Sequence, residues 1–193
     1  MRRFYVLVFF LAQLFALGQL KINFSNSDSL INISLSDSNW FYSNVNNVNF
    51  YKKEVDDKNW IKARTNLTEK EIKKLNFKGF AWFRKHIFID STLKNTPLVL
   101  TLFQRGASEI YLNGLLIEKI GVIGKTRDDE ELDNGENYPV FINPVYGADN
   151  VIAIKYSNNC MKRAMDKTVK FLPDLEFKLI QAVLFILVIL TEA

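Results

Sequence analysis

The chain has 193 residues, 48% of them hydrophobic and 24% charged, enough to bury one core and too little for two large domains. Lys and Arg number 25 against 21 Asp and Glu, and without Arg2 and Arg3, which lie in a leader-like segment, the balance falls to +2, which excludes the charge pattern of a nucleic-acid binder. With a single cysteine, Cys160, and a single histidine, His86, neither an internal disulfide nor a zinc site of the Cys/His type can be assembled.

Residues 1–19, MRRFYVLVFFLAQLFALGQ, combine two arginines, an apolar stretch from Phe4 to Ala12 and small residues at Ala16 and Gly18. That pattern predicts a signal peptide over residues 1–18 with cleavage after Gly18; the alternative is an uncleaved anchor. Either places the rest of the chain on the extracytoplasmic side, as an exported protein. A domain is expected over 19–178. Short runs rich in Val, Ile, Phe and Tyr, separated by Asn, Asp, Ser and Gly, predict strands at 30–35, 39–43, 48–53, 81–90, 97–103, 107–112, 115–119, 139–143 and 150–157. Between them, TEKEIKKL (68–75) has a Thr cap, a glutamate three residues on and apolar Ile72 and Leu75, the signature of a short amphipathic helix. In 81–90 the alternation sends Phe83, Ile87 and Ile89 to the core and Trp82, Arg84 and His86 to the other face. Asn113-Gly114 between two apolar triplets predicts a type I′ hairpin. The acidic run Asp128 to Asp133 reads as an exposed loop. Leu175, Phe177 and Leu179 alternate with Glu176 and Lys178, predicting a last strand at 174–180. The apolar run that follows makes 179–193 a short apolar tail, expected as the first part of a transmembrane helix and as the chain's contact with a membrane.

Four segments carry a family resemblance: Val55-Asp56-Asp57-Lys58-Asn59-Trp60, Gly79-Phe80-Ala81-Trp82-Phe83-Arg84-Lys85, Leu98 to Leu102, and FQRGASEIYLNG from Phe103 to Gly114. The chain resembles the galactose-binding-like jelly roll, as in the sugar-binding domain of family-two glycoside hydrolases. The last segment is also similar to the extracytoplasmic N-terminal domain of bacterial membrane sensors with histidine kinase or serine/threonine phosphatase output. The resemblance spans about residues 40 to 157 and implies an all-β sandwich with an N-terminal signal helix and a C-terminal apolar tail. It also implies a non-catalytic sensory or ligand-binding domain of a membrane signalling protein, cut before its output module. The alternative it implies is a carbohydrate-binding accessory domain of a secreted glycoside hydrolase.

Five residues are candidates for ligand contact. Trp82 and Arg84 share a strand face, and a ring beside a guanidinium can stack on a sugar while bonding its hydroxyls; equally, Arg84 can be held by a carboxylate such as Glu109. Gln104, Arg105 and Glu109 flank Gly106, a glycine whose place in a strand pattern suggests a bulge or close approach, and they line a cleft or fix that bulge. No spacing identifies a glycosidase acid/base pair, Asp56 and Asp57 are expected to form a turn, and His86 is expected to be structural. No catalytic residue, cofactor or metal site is assigned. A carbohydrate or small molecule is the expected partner, and the sequence leaves the oligomeric state open.

Overall fold

The computed structural model describes residues 20–22, 32–35, 38–94, 96–126, 128–133, 137–159 and 175–181; the leader-like residues 1–18, Cys160 and the apolar residues 182–193 lie outside them. In chain order the elements are β1 (Leu20–Ile22), β2 (Asn32–Ser34), β3 (Trp40–Ser43), β4 (Ile61–Ala63), α1 (Glu69–Leu75), β5 (Phe80–Ile89), a 3-10 turn (Ser91–Leu93), β6 (Leu98–Gln104), β7 (Ala107–Leu112), β8 (Leu115–Ile120), β9 (Asn137–Ile142), β10 (Ala148–Ser157) and β11 (Leu175–Gln181). The expected all-β sandwich is what forms. Its larger sheet runs β4-β3-β5-β10-β7-β8 with β1 also on β5, and its smaller sheet runs β2-β11-β6-β9. Among the described strands β1 with β5 is the one parallel pair, and the others are antiparallel.

The register explains why the two longest strands lie at the centre. Phe83 of β5 faces Ile154 of β10, which faces Ile110 of β7, and these side chains enter the core with Ile87, Ile89, Ile152 and Leu112. Leu98, Leu100 and Leu102 of β6 and Val140 and Ile142 of β9 meet them from the smaller sheet. Along β5, every residue from Ala81 to Lys85 is buried, so both faces of this strand are covered. Helix α1 adds Ile72 and Leu75 to the core. Its Thr68 capping box is complete, with Glu71 accepting from the Thr68 amide at 2.8 Å, and Asn76 ends it in the left-handed conformation. The Asn113-Gly114 turn has φ of 51° and 86°, as a type I′ hairpin requires.

Several expectations need correction. Residues 48–53 are not a strand but a chain of turns, closed by Phe50 N–H to Asn47 O (3.3 Å) and Lys52 N–H to Asn49 O (3.1 Å). A strand would send successive carbonyls to opposite sides, whereas here they converge on one buried cation described below. β1 and β4 were not foreseen: three residues are too few for a periodic signal, and Ile61 is 52% exposed. The last strand reaches Gln181, so residues 179–181 extend β11, and the rest of the apolar tail lies outside the described residues. Among the described residues no helix is long and apolar enough to cross a membrane. The acidic loop is not wholly solvated, because the Glu130 carboxylate accepts from the Asn159 amide (2.7 Å) and from Ser157 Oγ.

Gly106 is the close approach that its position suggested. It lies where the chain crosses from β6 to β7, at φ 140°, and a Cβ there would sit 2.6 Å from Ser157 O and 2.7 Å from the Tyr156 ring. Gly114 also has positive φ, but a Cβ there meets nothing nearer than 3.7 Å. Gly106→Ala is therefore expected to destabilise by about 2–4 kcal/mol, through clash and strain together. Gly114→Ala should lose only about 1 kcal/mol from backbone strain. Urea denaturation of the two variants checks the order.

Candidate functional site

The outer face of the larger sheet gathers polar, charged and aromatic side chains. Its residues come from alternate positions of β5, β10, β7 and β8, and a loop between β3 and β4 folds over it. Arg84 organises that loop. It is fully buried, and its five N–H donors all have acceptors: Nε gives to Asp57 Oδ2 (2.7 Å), Nη1 to the carbonyls of Phe50 (2.6 Å) and Lys52 (3.0 Å), and Nη2, more weakly, to those of Lys53 (3.4 Å) and Val55 (3.5 Å). His86, two residues along the same face, places Nε2 at 2.9 and 3.0 Å from the two Asp57 oxygens.

Burial alone would raise the Asp57 carboxyl, but the hydrogen bonds and charges of His86 and Arg84 outweigh it and hold the group below the ordinary carboxylate range. The folded-state value being the lower, the carboxylate contributes its full stability above about pH 4 and loses it as pH falls toward the folded-state value.

The loop held in this way covers the sheet with rings. Phe50 lies 4.6 Å from Trp60 and 6.2 Å from Trp82, and Tyr51 stacks on Tyr111 at 5.0 Å with the planes 22° apart. Tyr111 in turn lies 6.0 Å from Trp82. Beside the tyrosine pair, the Tyr111 hydroxyl donates to Glu109 Oε2 (2.8 Å), and Lys155 and Lys119 approach the same carboxylate at 3.4 and 3.5 Å. Burial tends to raise Glu109, but the Tyr111 hydrogen bond and the two lysines more than reverse it, so the group stays ionised. Burial, followed by the Glu109 hydrogen bond and charge, pushes the Tyr111 hydroxyl up, which keeps it a donor.

The five candidates from the sequence are not gathered in one place. Trp82, Arg84 and Glu109 share the outer face, but Trp82 is 1% exposed beneath the loop and Arg84 has no donor left for a ligand. The carboxylate on Arg84 is Asp57, not Glu109. Gln104 is buried on β6, where its Nε2 donates to Gly106 O (3.2 Å), and Arg105 is exposed at the crossing, its carbonyl accepting from Asn158 Nδ2 (3.0 Å) and from the Tyr156 hydroxyl. Sequence reasoning missed Tyr51, Tyr111, Lys155 and Asp57. The alternation of 107–112 places Tyr111 on the face of Glu109, and a lone lysine within VIAIKYS marks a polar contact on a buried strand; both signals were legible. The pairing with Asp57 spans 27 residues and had no local signal. Among the described residues no group of three His, Cys, Asp or Glu could hold a metal ion.

No family model and no curated protein matches the chain by sequence. Its fold is similar to part of several solved enzymes. A glycosyl hydrolase family 2 member from Bacteroides cellulosilyticus aligns at 17% identity over 77% of this chain and 20% of its own, with a TM-score of 0.54. The beta-glucuronidase of Bacteroides uniformis aligns at 14% over 79% and 18%, TM-score 0.53, and that of Faecalibacterium prausnitzii at 9% over 83% and 33%, TM-score 0.53. The chain thus spans about a fifth to a third of the length of these enzymes, and at these identities the likeness is one of fold.

Breaking the clamp takes the guanidinium from a buried carboxylate that then keeps only His86, and leaves four loop carbonyls without their donor, so Arg84→Met is expected to cost about 3–5 kcal/mol in chemical denaturation. Asp57→Asn should flatten the acid limb of the stability profile below about pH 4, where the native protein loses the carboxylate's contribution.

Proposed function

We propose that this chain is a non-catalytic β-sandwich module that binds carbohydrate as an accessory domain of a glycoside hydrolase. The observation that carries the reading is the tyrosine pair beside Glu109 and Lys155. An apolar ring takes the C–H face of a pyranose, while an ionised carboxylate and an ammonium accept from and donate to its hydroxyls. Both Glu109 and Lys155 keep 21% of the side chain exposed, so they can reach a ligand without leaving the sheet. The fold neighbours support the reading, since they carry the sandwich as a minor part of family 2 hydrolases. So does the resemblance of the chain to the sugar-binding domain of that family.

The sensory reading rests on the FQRGASEIYLNG string and expects the same sandwich. The fold neighbours are hydrolases, which favours the accessory role. Export by the residue 1–18 segment belongs to the proposal too, because polysaccharide substrates are met outside the cytoplasm.

Calorimetric titration of the full chain against a panel of neutral and acidic oligosaccharides tests the reading. At least one member should bind saturably, and Tyr111→Ala, with its fold intact by circular dichroism, should weaken that binding about tenfold or more. Binding that survives unchanged in Tyr111→Ala, or no binding across the panel, would overturn it.

A further inference from the structure

Cross-strand register sets four side chains in one line across the outer face: Trp82 of β5, Lys155 of β10, Glu109 of β7 and Lys119 of β8. Their hydrogen-bonding capacities do not balance. The two ammonium groups carry three N–H donors each, the indole carries one, and the neighbouring Tyr111 hydroxyl gives another, while the only carboxylate in the line is that of Glu109. Both lysines share it, Lys155 Nζ 3.4 Å from Oε2 and Lys119 Nζ 3.5 Å from Oε1, and Tyr111 also donates to Oε2. At the indole, Trp82 Nε1 finds no acceptor among the described residues although the side chain is 1% exposed. The nearest further acid in sequence, Glu118, turns its Oε1 to the Lys119 amide at 2.9 Å. The line therefore carries an excess of one positive charge and of several donors, next to a pair of stacked rings. Its outer end is open, with the Lys119 side chain 59% exposed.

Such a surface is short of acceptors. A neutral sugar brings each hydroxyl as donor and acceptor alike, and so relieves the shortage only in part. A carboxylate is acceptor-only and offers about four lone-pair positions. We infer that the ligand of this face is a saccharide bearing a carboxylate, its ring on the Tyr51–Tyr111 pair and its charge against Lys155 and Lys119. The inference rests on the reading of the face as a carbohydrate site and narrows it to acidic sugars. Charge-assisted bonds of ammonium to carboxylate are roughly twice as strong as neutral ones, so the acidic group should dominate selectivity. Lys155 is the better placed of the two, because its lower exposure reduces screening by salt.

The test is calorimetric titration of the full chain with an oligogalacturonate and with the neutral galactose oligomer of the same length, at low and at high salt, with sodium acetate as a third titrant. The acidic oligomer is expected to bind about tenfold tighter than the neutral one at low salt, with the advantage shrinking as salt rises. Lys155→Gln and Lys119→Gln should each remove a factor of about three or more of that advantage, and the exposed Lys119 gives a variant that tests the charge without disturbing the fold. Equal affinity for the two oligomers would overturn the acidic assignment and leave the carbohydrate reading standing. Acetate binding as tightly as the acidic oligomer would overturn it as well, since charge alone would then be recognised. Binding of no titrant would remove the carbohydrate reading itself, and this inference with it.

Discussion

One buried guanidinium holds the outer half of this domain together. Arg84 stands in the middle of the central strand, and its five donors draw the Asp57 carboxylate and four backbone carbonyls of the β3–β4 loop onto the sheet. A cation buried this deeply is tolerable only when every donor is met and a counter-charge is at hand, and here both conditions hold. The consequence is conformational. Residues 47–55 must turn repeatedly to aim their carbonyls at one point, and that turning delivers Phe50 toward Trp82 and Tyr51 onto Tyr111.

The larger sheet is thereby used on both faces. Its inner face makes an apolar core with the smaller sheet, and its outer face becomes a second layer of rings and charges under the loop. On the proposed reading the ligand meets the edge of that second layer, where Tyr51 comes from the loop and Tyr111, Glu109 and Lys155 come from strands. Strand-borne groups keep their spacing through the backbone ladder, while the tyrosine from the loop keeps its place through Arg84. On that reading stability and binding are linked through Arg84, a residue that touches no ligand.

What the sequence revealed follows the range of the interactions concerned. The alternation in β5, the Thr68 capping box, the Asn113-Gly114 turn and the alternation from Leu175 onward are local patterns, and each element formed where it was expected. The resemblance supplied the sandwich itself. Residues 48–53 misled because Val48 and Phe50 alternate as they would in a strand, whereas their backbone answers to a partner more than thirty residues away. For the same reason Trp82 and Arg84 looked like ligand contacts: their strand face was predicted correctly, but the loop that seals it was not. Glu109 keeps part of its side chain in solvent on β7, the strand next to the sheet's edge strand β8.

The most direct test of the account is an amide chemical-shift titration of the labelled chain with the acidic oligosaccharide, since it reports where a ligand sits. Binding on the face assembled by Arg84 predicts the largest shifts in residues 50–53, 109–111, 116–119 and 153–155. Shifts concentrated instead in the smaller sheet around Phe141, or in the 121–133 loop, would contradict the assignment of that face.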